Sequence, residues 1–459
     1  MTRWARLLVA LVAVAPTAQV ALTDASCRTN GPFTDGPPAP TVPNGHVAWP
    51  AADPVWELDL YRPANRTTPN GGGLELRDVR YRGRQVLARA SVPVLNVEYD
   101  EGGCGCFRDW LTNEAPTEIG DGARLPLACF AESEPGDVRT ACEANERAAD
   151  PGGDVGDFYG VTVEDYGTEL VLTGHAKAGW YRYRMKWHLY ADGRIWPEFS
   201  FAAAQAICTD TAHRHHAYWR FDFDLDGTAQ DDVVRRVGPD GDAVVTAESS
   251  FVLGGPTDAT AWSVTDPTGI GYRIEPGRAD RRLPVDAFSK TDVLVLRYKV
   301  DEVDDGMLAT DGQNACAFAF EPFLDGETLD GQDTVVWVRS GALHAAGSPF
   351  ACDIVGPMLR PIGFAAGPPP PGTVEFEPAR PNPTAGPTRV RFRVADAQPV
   401  TAELYDASGR RLAVLFEGTV GAAVWETVRV DGGGLPAGTY IVRVRGRSVD
   451  ATSSLVVAR

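Results

Sequence analysis

The chain of 459 residues carries 43 Lys and Arg against 62 Asp and Glu, a formal charge of −19. That acidic balance argues against a nucleic-acid partner, which needs a basic face. The length allows two or three domains with ample core. Glycine (48) and proline (35) are frequent, short aliphatic and aromatic runs are separated by turn dipeptides, and helical periodicity is nearly absent, so the expected fold class is all-β.

The chain opens with "MTRWARLLVALVAVAPTAQVA", in which Arg3 and Arg6 precede an apolar run from Leu7 to Ala15. This is the pattern of a secretory signal peptide over residues 1–21, too short to span a membrane. No other segment has the length of a transmembrane helix, and a secreted or cell-surface protein is expected. The eight cysteines show no zinc-finger spacing; in an exported chain they predict disulfides, whose pairing the sequence leaves open.

Residues 22–366 hold strand-like runs such as "GLELRDVRYRGRQVLARASVPVLNVEYD", "GWYRYRMKWHLYADGRIWPEFSF", "VLVLRYKV" and "DTVVWVRSGALH". A large antiparallel β super-sandwich is expected there. Four consecutive prolines mark a stiff linker at 367–375, and regular alternation over 376–459 predicts a small C-terminal Ig-like β-sandwich. Its blocks "ARPNPTAG", "LYDASGRRL" and "LPAGTYIVRV" resemble the C-terminal sorting domain of the type IX secretion system. The resemblance implies the type IX secretion machinery as a partner, with export across the outer membrane and often surface attachment.

The stretch "HRHHAYWRFDFDLDG", His213 to Gly227, concentrates the chemistry. Alternation along a strand puts His213, His215, Ala217, Trp219, Phe221, Phe223 and Leu225 on one face. Arg214, His216, Tyr218, Arg220, Asp222, Asp224 and Asp226 fall on the other. A His-x-His pair at the mouth of an apolar face suits copper or zinc. "DFDLDG" begins like an EF-hand loop, but Val233 stands where the bidentate Glu is required, so a hard cation held by Asp222, Asp224 and carbonyls is the remaining calcium-type reading.

The His-x-His strand with "DFDLDG", then "DTVVWVRSGALH" and "GPMLRPIGF", together with "VEDYG" and "AWSVTDPTGIGYRIEPG", resembles the catalytic domain of the copper amine oxidases over roughly residues 45–364. The resemblance implies copper on His213, His215 and His344, and a peripheral calcium-type site from Asp222, the Phe223 carbonyl, Asp224, Asp333 and the Thr334 carbonyl. It implies that Tyr181 is the precursor of topaquinone, and a homodimer as the family habit. The implied reaction converts a primary amine and dioxygen to aldehyde, ammonia and hydrogen peroxide. For the carboxylate base the resemblance puts Glu114 first and Asp109 second. Trp180 and Arg182 replace the amide and the acid that flank the tyrosine in the family, so a copper-binding surface protein without the quinone is the alternative reading. A purely structural or adhesive exported module is the third.

Overall fold

The structure is a computed structural model that describes residues 20–24, 44–63, 72–100, 104–121, 123, 130–143, 154–203, 207–254, 258–277, 280, 291–299, 323–346, 355–364, 374–395, 397–407, 409–422, 424–446 and 449–458. The predicted signal peptide, apart from its last two residues, lies outside them, as do the proline run and Cys27, Cys129, Cys316 and Cys352.

The described residues form strands and a few short 3-10 turns, with no α-helix among them. The strands that position the site are β1 (Arg84–Tyr99), β2 (Glu169–Ala178), β3 (Tyr181–Tyr190), β4 (Ile195–Ala203), β5 (His213–Asp222), β6 (Val293–Arg297) and β7 (Thr334–His344). Two ten-stranded sheets face each other. In the first, β1, β5, β7 and β6 are antiparallel neighbours in that order; in the second, β2, β3 and β4 form an antiparallel meander. One pair departs from the antiparallel expectation, since Phe130–Ser133 runs parallel to Val161–Asp165.

Alternation builds the layer between the sheets. Tyr181, Tyr183, Met185, Trp187 and Leu189 of β3 are buried in one core with Ala217, Trp219 and Phe221 of β5. The Trp187 and Trp219 rings meet edge to face at 5.3 Å across the sheets. Each fully buried side chain of this size contributes roughly 1.5–3 kcal/mol, so the aromatic alternation decides which face of β5 turns toward β3. The turn from β3 to β4 needs Gly193, whose φ is +93°. A Cβ there would lie 2.7 Å from the Tyr81 ring.

The other face of β5 is also closed. Tyr218 packs with Val94, Leu294, Leu296 and Trp337 in a second apolar cluster, and His216 and Arg220 are fully buried. The C-terminal residues form a three-stranded and a four-stranded sheet around their own core of Val390, Phe392, Val442, Val444 and Leu455.

Candidate metal and tyrosine centre

Register brings the histidines together. His213 is the cross-strand partner of His344 on β7 and of Tyr99 on β1, while His215 lies two residues on and on the same face of β5. The His213 ring is 4.9 Å from the His344 ring and 5.2 Å from that of His215. From the opposite sheet, Tyr181 enters at the start of β3 after a two-residue turn whose positive φ falls on Gly179 (+54°). Its ring stands edge-on to His215 at 4.6 Å and 5.7 Å from His213.

Hydrogen bonding sets which nitrogen of each ring is available. His213 Nδ1 lies 2.7 Å from the Thr211 carbonyl, which can only accept, so Nδ1 carries the proton. The Tyr183 hydroxyl donates to Asp109 Oδ2. Having spent its one proton there, it can only accept from His215 Nδ1 at 3.3 Å. Both rings therefore present Nε2 as a lone pair, and both Nε2 atoms are buried with no hydrogen-bond partner. Burial pushes His213 down to about 4 and His215 well below the usual imidazole range, so both are neutral at physiological pH.

Orphaned, neutral, buried nitrogens backed by a hydrogen-bonded Nδ1 are the donor set a transition metal requires. Each unsatisfied group otherwise costs about 1–3 kcal/mol. The His213 and His215 nitrogens suit a transition metal such as copper, whereas the donor atoms of the full trio with His344 are spread wider than those of the acidic sets, which lie within 4.8 Å of one another.

Asp109 is the acid brought into this cluster. Burial raises its carboxyl to about 7 against the lowering effect of the Tyr183 hydroxyl, and Tyr183 also packs 5.6 Å from the Tyr181 ring. Glu114, ranked first from sequence, is instead buried in a two-point ion pair with Arg62, with Arg62 Nε donating at 2.7 Å. Its backbone bridges to Ala176 of β2, and its role there is to neutralise Arg62.

Two departures around Tyr181 become concrete. Trp180 Nε1 donates to the Tyr99 hydroxyl at 3.1 Å, and Tyr99 in turn shares a 2.6 Å hydrogen bond with the Tyr181 hydroxyl. Burial, then the neighbouring Tyr99, holds the Tyr181 phenol well above its usual pKa. Arg182 points to the other face of β3 and pairs with Asp154, away from the histidines. Tyr99 and Tyr183 were not singled out from sequence. Two-residue spacing from Tyr181 would have flagged Tyr183; nothing local flags Tyr99, 82 residues from its partner.

On the far face of β5, Asp222, Asp224 and Asp333 bring their carboxylate oxygens within 4.8 Å of one another. Burial and then the Asp222 charge raise Asp224 to about 6. Thr334 is buried beside Asp333 at the start of β7, and the Phe223 side chain lies in the main core. His216 contacts Arg339 at 3.2 Å, and Arg339 pairs with the buried Asp292, so His216 belongs to a structural ion cluster.

No protein-family model matches the chain. Solved structures that resemble it include amine and lysyl oxidases, one of them described as copper-containing. The benzylamine oxidase of Hansenula polymorpha has TM-score 0.45 and 15% identity over 70% of this chain and 60% of its own. The lysyl oxidase of Pichia pastoris has TM-score 0.47 and 15% identity over 69% and 51%. The Aspergillus nidulans amine oxidase has TM-score 0.45 and 16% identity over 75% and 56%. The chain thus spans between half and three fifths of the length of these proteins.

Proposed function

We propose that the protein is a copper-dependent oxidase of a primary amine. The observation that carries this reading is the placement of Tyr181 edge-on at 4.6 Å from His215, beside two buried imidazoles whose Nε2 atoms lack partners. His213, His215 and His344 would hold the copper, and a quinone derived from Tyr181 would supply the electrophilic carbonyl for the amine. Asp109, with a carboxyl near 7, suits the removal of a proton from the carbon next to nitrogen, because a base works best when its pKa is near the working pH. Tyr183 orients that carboxylate, and Tyr99 holds the Tyr181 oxygen. The chain's charge of −19 favours approach of a cationic amine.

The test is the mass of the Tyr181 peptide after expression with copper, together with peroxide release from a panel of primary amines. Added oxygen at Tyr181 and peroxide support the reading; unmodified Tyr181 in copper-loaded protein rejects it. The hydrogen bond from Trp180 through Tyr99 favours a second reading, a copper-binding protein in which Tyr181 stays a phenol. Export through the type IX system is proposed from the three C-terminal sequence blocks, and calcium at Asp222, Asp224 and Asp333 from their convergence.

A further inference from the structure

The C-terminal domain inverts the charge of the chain. Residues 376–459 hold eleven arginines, no lysine and eight acids, in a protein whose total charge is −19. Its three-stranded sheet consists of β8 (Val374–Arg380), β9 (Pro387–Val394) and β10 (Glu426–Asp431), with β9 in the middle.

On the outer face of this sheet the first rows are charge-matched. Glu375 stands opposite Arg393 and Glu377 opposite Arg391, and both pairs close as ion pairs at 2.6 and 2.8 Å. The next row breaks the pattern. Arg380 is the register partner of Arg389, and Arg389 is that of Arg429, so three arginines lie side by side across three strands. All three are exposed, and no described carboxylate forms an ion pair with any of them. Like charges directly opposite on a sheet destabilise it.

The row lines a cavity of about 430 Å³, flanked by Pro381, Pro387 and Arg391. Its acid, Glu377, is already taken by Arg391. Arg391 and Arg393 both lie over the Trp425 ring at 4.9 Å, which stiffens the wall of the site.

We propose that this arginine row binds an oxyanion ligand of the phosphate or sulfate class that carries more than one charged group. Guanidinium forks match the oxygens of such groups two at a time, which ammonium groups do not. Strands about 4.8 Å apart make the row roughly 10 Å long. That length suits a diphosphate or a run of sulfates on a polymer better than a single anion.

The test uses the full chain at low salt with two probes, inorganic pyrophosphate and dextran sulfate, read by calorimetry. Arg389→Gln with Arg429→Gln is compared with Arg410→Gln and Arg411→Gln, which removes the same charge from arginines that pair with Asp406 and Glu403. The expected result is a loss of roughly tenfold or more in affinity for the row variant, with the control close to the parent. Binding of pyrophosphate assigns a free small ligand, and binding of dextran sulfate alone assigns a polymer-borne one. Should the glutamine variant fail to fold, Arg389→Lys keeps the charge and still weakens binding, because the fork is lost. Failure of both probes to bind, or equal weakening in the control pair, overturns the proposal.

Discussion

Asp109 and Glu114 lie five residues apart and make opposite predictions. With the Asp109 carboxyl near 7, amine turnover should rise with pH through that value as the base loses its proton. Asp109→Asn should remove this limb and lower kcat by about 10²–10⁴ while copper content is unchanged, which a pH–rate profile and metal analysis would check. Stability runs the other way. A carboxyl raised above its unfolded value near 4 keeps its proton longer in the folded state. Its contribution therefore falls as pH rises from about 4 to 7, and the asparagine variant should flatten that slope in denaturant titrations. Glu114→Gln, in contrast, leaves Arg62 buried without its partner and should cost about 3–5 kcal/mol of stability. The proposed pH limb of the refolded protein should survive in that variant. The ranking of Glu114 ahead of Asp109 from sequence could not take in their surroundings, because the difference lies in Arg62 and Tyr183, each more than 50 residues from the acid it contacts.

At the scale of elements, alternation along β5 was legible. His213 and His215 do share a face toward Tyr181, and His216 lies on the other. What alternation could not show is that the second face is covered too. A central strand flanked by β1 and β7 has no solvent side here, and charge buried beside that face is neutralised in place, as Arg339 of β7 is by Asp292. The segment entering β5 is held by a disulfide between Cys104 and Cys208, a pairing the sequence left open. Cys208 precedes Thr211, whose carbonyl fixes the His213 ring, and Cys104 precedes Asp109. The crosslink thus joins the approach to His213 with the approach to Asp109. Replacing both cysteines by serine should weaken copper binding by about 10–100-fold, the usual effect of loosening a ligand's hydrogen-bonded support. A competitive copper titration would measure it, and unchanged affinity would show that the strand pairing alone sets His213.

Over the whole molecule, the site is assembled from both sheets: His213, His215 and His344 come from β5 and β7 of one, and Tyr181 from β3 of the other. Unravelling the pairing of β5 with β7 would scatter the three histidines, so an ion bound there would stabilise the folded sandwich by mass action, about 4.1 kcal/mol when free copper is a thousandfold above its Kd. The C-terminal domain has its own apolar core and should melt independently of that gain. Calorimetry is expected to resolve two transitions, with copper raising the Tm of the larger one by several degrees and leaving the smaller one in place. His344→Ala should abolish the shift without altering the second transition. That outcome separates copper held by the histidine trio from adventitious copper, because surface sites would persist in the alanine variant. Movement of both transitions together would instead mean that the two cores unfold as one unit.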